Sequence, residues 1–124
     1  MKILNYIKLK NIINFLTSEI IISLSELRYN TKINSEDIIF SWEQRCESGK
    51  ILITSDEIKN DIYNIFGTDD IKNVLIEIGY EIIRKKIDII YQILNLNIGT
   101  NDKIDLLIFL IRKSSEELAN EYLG

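Results

Sequence analysis

The sequence predicts an all-α protein: a compact single-domain bundle of about six helices over residues 1–124, with a long central helix near residues 69–95. Three observations predict this fold class. The chain contains no proline, so long helices can run without interruption. Apolar residues recur at spacings of three and four along most of the chain, which is the period of a helix with one buried face. With 124 residues, 46% of them hydrophobic, the chain has single-domain size and can bury roughly two-thirds of its unfolded surface.

The amino-terminal quarter predicts two helices. The first covers about residues 2–16. Thr17 or Ser18 then caps a second helix over about residues 19–29, because a hydroxyl oxygen there can accept free amide hydrogens of a first turn. The polar residues 30–34 are predicted to form a loop.

A third helix is predicted from Ser35, its cap, to Glu47. Glu36 and Asp37 lie in its first turn, where the helix dipole favours acidic side chains. The helix ends at the pair Ser48-Gly49.

Residues 50–53 (Lys-Ile-Leu-Ile) look β-like, but no second alternating run could pair with them. We therefore expect an extended linker packed into the core, with a short strand as the alternative. Thr54 and Glu57 have the spacing of a capping box. They open a fourth helix that ends at Phe66, before Gly67.

The longest helix is predicted over about residues 69–95, and a last helix over about 101–123. Most of the long helix is apolar, and its polar residues fall at spacings of three and four on one narrow stripe. This pattern predicts a central helix that packs on at least two sides. The stripe consists of Asn73, Glu77, Glu81, Arg84, Asp88, Gln92 and Asn95.

Residue types that most enzymes need are missing. The chain has no histidine and a single cysteine, Cys46, which excludes His-based triads, His-ligated metals, Cys-rich zinc sites and an intramolecular disulfide. All-α pyrophosphohydrolases hold magnesium with Glu-x-x-Glu or Glu-x-x-Asp pairs, and neither pair occurs, nor does a glycine-rich phosphate loop. Cys46 falls on an apolar helix face and is expected to be a buried, inert thiol. We expect no catalytic site, no metal and no cofactor.

Neither a membrane span nor a signal peptide is predicted. The longest purely apolar run, residues 106–111, is far shorter than the roughly 20 residues that a spanning helix needs. Lys8 and Lys10 interrupt any signal-peptide core. A lone cysteine also suits a reducing compartment, so we expect a cytoplasmic protein.

Charge is spread unevenly along the chain. Residues 1–32 hold five bases and two acids, residues 33–81 hold eleven acids and four bases, and residues 82–124 hold six of each. An acidic surface repels phosphate backbones and attracts a basic protein, so we expect a protein partner rather than a nucleic acid. The most basic cluster, residues 84–86, lies inside the long helix instead of on a short recognition helix. Alternatively, acids in first turns only stabilise helix starts.

The third predicted helix has the most distinctive outer face. Projection at 100° per residue places Ile38, Ile39, Trp42 and Cys46 on the buried face. Glu36, Glu43 and Glu47 cluster on the opposite side, and Phe40 falls on that acidic arc beside Gln44. An exposed aromatic among carboxylates is a suitable anchor for a basic partner, although Phe40 could instead pack under a neighbouring loop. The residues predicted to bind the partner are Glu36, Asp37, Phe40, Glu43, Glu47, Asp56, Glu57 and Asp61.

The segment Phe15-Leu16-Thr17-Ser18-Glu19-Ile20 is similar to a helix-turn of colicin D-type immunity proteins. Small, acidic, helical, cysteine-poor chains without a catalytic motif also resemble bacterial immunity proteins, which neutralise nuclease toxins of the colicin or contact-dependent growth inhibition type. The similar segment covers residues 15–20 only, so no residue role is transferred. The resemblance implies an acidic surface that masks the basic substrate cleft of a nuclease toxin.

Two alternatives remain open. The chain could be a structural or regulatory protein that forms a homodimer through exposed apolar residues such as Phe109. It could also be a phage-encoded inhibitor of a host defence complex, which would be equally acidic and non-catalytic.

Overall fold

Helices make up most of the chain that the computed structural model describes, which is residues 3–49, 51 and 56–123. No strand occurs within these ranges. A 3₁₀ helix, Glu26–Tyr29, follows the first α-helix directly. The predicted all-α bundle of about six helices is confirmed. The α-helices are α1 (Ile3–Ser25), α2 (Ser35–Glu47), α3 (Asp56–Phe66), α4 (Ile71–Arg84), α5 (Ile87–Leu94) and α6 (Thr100–Leu123).

Helix α1 forms the centre of the bundle. It packs most extensively on α6 and also contacts α2, α3 and α4, while α6 covers α4 and α5 as well. The side chains that α1 contributes to the core recur at spacings of three and four, as a helix buried along one face requires. These buried residues are Leu9, Ile12, Ile13, Leu16, Ile20 and Leu24.

The prediction of a helix boundary at Thr17 and Ser18 is wrong, because α1 continues through both residues. Thr17 Oγ1 donates to the Ile13 carbonyl at 2.7 Å, and Ser18 Oγ donates to the Asn14 carbonyl at 3.2 Å. The hydroxyls thus bond back to the preceding turn, which Ser and Thr can do inside a helix as well as cap one. Thr17 Oγ1 also lies 2.6 Å from Ser115 Oγ on α6, so this buried hydroxyl is satisfied within the helix interface.

Helix α2 has its predicted bounds, but Asn34 caps it instead of Ser35. The Asn34 side chain accepts from the Asp37 amide at 3.0 Å, and the Asp37 carboxylate accepts from the Asn34 amide at 2.8 Å. This reciprocal pair is a capping box. Helix α3 ends at Phe66, as predicted. Two predictions fall outside the described residues: the extended segment 50–53, apart from the half-buried Ile51, and the capping role of Thr54.

The prediction of one helix over residues 69–95 is wrong, because α4 and α5 are separate helices joined at Lys85 and Lys86. Ser114 Oγ on α6 donates to the Ile82 carbonyl at 2.5 Å. In a continuous helix that carbonyl would accept from the Lys86 amide. The Lys86 amide instead lies 3.4 Å from the Ile83 carbonyl. A hydroxyl from a distant helix therefore accompanies the break, and nothing in the local sequence marks it.

The predicted polar stripe nevertheless continues from α4 into α5, because all seven of its residues, from Asn73 to Asn95, are exposed. Lys85 keeps helical dihedral angles (φ −56°, ψ −30°) and only Lys86 departs from them (φ −122°, ψ 29°). The two lysines reach α6, where Lys85 pairs with Glu121 and Lys86 Nζ lies 2.9 Å from Glu117.

Trp42 fixes the contact between α2 and α4. Its side chain is fully buried, and its ring occupies the space where a Cβ on Gly79 would stand. The two helices therefore approach each other closely at this point. Trp42 Nε1 is buried there and has no hydrogen-bond partner among the described residues.

Within the described ranges, no helix combines the length and apolar character needed to cross a bilayer.

Candidate protein-binding surface on helix α2

Helix α2 has a buried face and an exposed face. Ile38, Trp42 and Cys46 point into the core, as the projection predicted, and α2 packs on α1 and α4. The opposite face is open to solvent along the whole helix. We call it the outer stripe of α2; it consists of Glu36, Phe40, Gln44 and Glu47.

Phe40 is the central residue of the outer stripe. Its side chain is 61% exposed, so the alternative that Phe40 packs under a neighbouring loop is wrong. Glu36 and Gln44 lie one helical turn to either side of it. Covering an aromatic ring of this size in a complex would remove a large apolar area from water.

Glu43 makes an internal contact and does not belong to the outer stripe. Its half-buried carboxylate accepts a hydrogen bond from the Tyr80 hydroxyl on α4. That hydrogen bond, together with burial, raises the pKa of Tyr80 to about 12. The Arg84 guanidinium lies 4.7 Å from the centre of the Tyr80 ring. Glu43 therefore ties α2 to α4.

Asp61 is also internal. It was predicted to contact a partner, but it is only 6% exposed and lies 3.7 Å from Lys8 Nζ on α1. The prediction that Asp61 forms part of an exposed acidic surface is therefore wrong. A buried carboxylate that loses the cation beside it is strongly destabilising, so this ion pair links α3 to α1.

The remaining predicted residues separate into two groups. Asp37 is half-buried and caps α2, while Asp56 and Glu57 are exposed in the first turn of α3. Among the described residues, α2 and α3 each pack on α1 and α4 and share no extensive contact with each other. The acids of α3 are thus carried by a different element from those of the outer stripe, and Glu36, Phe40 and Glu47 are the predicted residues that share one face.

A groove of about 420 Å³ opens between α2 and the 3₁₀ helix. We call it the α2 groove. On the side of the 3₁₀ helix it is lined by Glu26, Leu27 and Asn30. The α2 side is lined by Asp37, Phe40, Ser41, Gln44, Arg45 and Ser48.

Arg45 is the cation of this groove, and it is already paired. Its guanidinium lies 2.7 Å from Glu19 on α1 and 3.4 Å from Glu26 on the 3₁₀ helix, and its side chain is nearly buried. This network was not predicted, because Glu19 and Glu26 belong to the first part of the chain, which is basic overall. The spacing of Asp37, Ser41 and Arg45, four residues apart on one flank of α2, is the signal that could have located the groove.

Cys46 has the environment of a structural thiol. It lies in the core, and burial raises its pKa to about 12. A thiol with such a pKa stays protonated near neutral pH and does not act as a nucleophile. Over the residues that the structure describes, no three acidic or cysteine side chains come together in a way that could hold a metal ion.

A second exposed feature lies on α6. Phe109, named above as a possible dimer contact, is 63% exposed, with Leu106 one turn before it and Lys113 one turn after it. Lys113 Nζ lies 5.8 Å from the centre of the Phe109 ring. Leu96 and Ile98, between α5 and α6, are exposed as well.

Comparison of the chain with protein-family models, with curated proteins and with solved structures gave no match.

Proposed function

We propose that this chain is an immunity protein: a non-catalytic cytoplasmic inhibitor that binds a basic toxin, a nuclease domain, through the outer stripe of α2. The observation that carries the proposal is the exposed ring of Phe40, which stands between Glu36 and Glu47 on a helix whose other face is firmly packed. Aromatic side chains at the centre of an interface contribute much of its binding energy. Carboxylates around such an anchor select a basic partner and exclude an acidic one.

The carboxylates of the outer stripe complement the substrate cleft of a nuclease. A nuclease cleft is basic because it binds a phosphate backbone. The carboxylates of Glu36 and Glu47 would occupy the positions of substrate phosphates, and Phe40 would fill an apolar site between the basic side chains. Inhibition would then result from occupation of the cleft, and the inhibitor itself would need no catalytic group.

The test is co-expression of the chain with the product of the gene adjacent to its own. We expect that product to be basic and to arrest growth, and the chain to restore growth by forming a complex with it. The variant with both Glu36→Lys and Glu47→Lys should lose the rescue and the complex, because it places cations opposite cations. Association of the wild-type pair should also slow as salt is added.

A matched control separates the surface from the change in net charge. Asp102→Lys with Glu116→Lys alters net charge equally on α6; both residues are exposed, and Asp102, like Glu36, lies in a first turn. The control should rescue growth as well as the wild type does. Full rescue by the α2 variant would contradict the choice of surface. An adjacent gene product without toxicity would contradict the immunity function.

The exposed apolar residues around Phe109 favour a second candidate, a self-associating structural or regulatory protein. A large exposed apolar group on a helix is typical of an interface. Sedimentation equilibrium distinguishes the two candidates: self-association predicts a stable dimer without any partner, and Phe109→Ser should convert it to a monomer. A monomer at all concentrations would rule the second candidate out.

A further inference from the structure

The shape of the α2 groove restricts what can bind in it. Its α2 wall runs from Asp37 to Ser48, which is about 16 Å of helix, or three turns. The described residues contain no strand, so a partner cannot add an extended segment to a sheet edge here. A helix about three turns long, lying beside α2, matches the length of the groove.

The two walls present apolar surface to such a helix. Phe40 stands on the α2 wall and Leu27 on the opposite wall. Tyr29, at the end of the 3₁₀ helix, is 92% exposed. An amphipathic helix that enters a groove places its apolar residues on side chains of this kind.

Charge determines the polar side of the occupant. Among the residues that line the groove, Glu26 and Asp37 carry two negative charges against the single positive charge of Arg45, which also pairs with Glu19 on α1. Because Glu19 and Glu26 already hold the Arg45 guanidinium, that cation has little effect on an incoming group. The groove therefore complements lysine and arginine side chains.

We infer that the α2 groove receives a short basic amphipathic helix of the partner protein, whose apolar face packs on Phe40 and Leu27 and whose cations face Glu26 and Asp37. The inference rests on the proposed function, since it names the part of the basic partner that enters beside the outer stripe of α2. It adds the wall formed by the 3₁₀ helix, which the proposed function does not require.

A synthetic peptide of leucine and lysine, about 11 residues long and arranged as an amphipathic helix, is a suitable probe. Titrated into the isotope-labelled full chain, it should shift the amide resonances of Leu27, Asn30 and Phe40 in a saturable manner. A peptide with glutamate in place of lysine should not shift them. A peptide with the same number of lysines but no apolar face should bind at least about tenfold more weakly, since it cannot pack on Phe40.

Asn30→Arg tests the groove without touching α2. Asn30 is exposed and follows the 3₁₀ helix directly, so the added cation should weaken peptide binding by about tenfold or more. Asn95→Arg is the matched control, because Asn95 is exposed and follows α5 in the same way. It should leave peptide binding unchanged.

The outcomes separate this inference from the proposed function. If growth rescue is lost in Asn30→Arg and also in the variant with Glu36→Lys and Glu47→Lys, the groove inference and the proposed function are both supported. If Asn30→Arg still rescues growth while the variant with Glu36→Lys and Glu47→Lys does not, the proposed function stands and the groove inference is overturned. Shifts centred on α6, or equal binding of the two lysine peptides, would also overturn it.

Discussion

Ser114 and Ile82 are joined by a hydrogen bond that replaces a bond of the helix backbone. The Ser114 hydroxyl on α6 donates to the Ile82 carbonyl at 2.5 Å, and the helix that contains Ile82 ends two residues later. When a helix carbonyl accepts a hydrogen bond from another element, the amide four residues later loses its usual acceptor. Here that amide belongs to Lys86. The bend between α4 and α5 thus coincides with a contact between elements that are distant in sequence.

Replacement of this hydroxyl should therefore change both stability and helix geometry. We expect Ser114→Ala to lower the free energy of unfolding by about 1–2 kcal/mol, since the Ile82 carbonyl loses a buried donor. Part of the loss should be recovered as the Lys86 amide turns back to that carbonyl. Urea denaturation measures the first effect, and slower hydrogen exchange at Lys86 reports the second.

Ser23→Ala is the control for this prediction. Ser23 is equally buried, but its hydroxyl donates within its own helix to the Ile20 carbonyl, so its removal should lower the free energy of unfolding by less than about 0.5 kcal/mol. Equal costs for the two variants would contradict this account.

Gly79 should not tolerate a methyl group. Its Cβ would overlap the Trp42 ring, so we expect Gly79→Ala to lower the free energy of unfolding by about 1–3 kcal/mol through overpacking. Trp42→Phe would make room for the methyl group. The double variant should then lose less stability than the sum of the two single variants, which a double-mutant cycle measures. Additive losses would show that the two residues do not restrict each other.

The ion pair between Lys8 and Asp61 should contribute to stability although Lys8 is partly exposed. Lys8→Met leaves a buried carboxylate without its counter-charge, and we expect a loss of about 1–3 kcal/mol in chemical denaturation. Lys10→Met is the control, because Lys10 is exposed and only two residues further along α1. This variant should lower the free energy of unfolding by no more than about 0.5 kcal/mol. Similar losses for the two variants would argue against the pair. Asp61→Leu, added to Lys8→Met, should restore part of the stability.

Tyr80 should make stability depend on alkaline pH. Its pKa is raised from 10.0 to about 12 in the folded protein, so its neutral form is favoured by folding. This contribution is complete below pH 10 and is lost as pH rises through about 12. The NMR shift of the ring carbon that bears the Tyr80 hydroxyl should report the titration. Glu43→Gln removes the negative acceptor and should move the midpoint down toward 10; an unchanged midpoint would mean that Glu43 is not the cause.

Most of the fold is encoded in local periodicity, which is why the sequence predicts it well. The buried face of α2 and the exposed polar stripe of α4 and α5 follow from apolar spacing alone, since a helix brings residues three and four apart to the same side. The exposed position of Phe40 follows from the same projection.

The errors arose where distant residues decide the structure. A hydroxyl such as that of Thr17 can cap a helix or bond back to its own turn, and its partner Ser115 lies on α6. The break at Lys86 coincides with a hydrogen bond from Ser114, and the buried Asp61 pairs with Lys8. Only the assembled bundle brings these pairs together, so spacing along the chain could not indicate them.

The close contact between Trp42 and Gly79 has a consequence for recognition. It holds the backbone of α2 against the core, so the helix that carries Phe40 is preorganised before any partner arrives. Docking on this face would order side chains but no backbone, which keeps the loss of conformational entropy small. The partner proposed for this face should consequently meet the same backbone geometry of α2 in the free protein and in the complex.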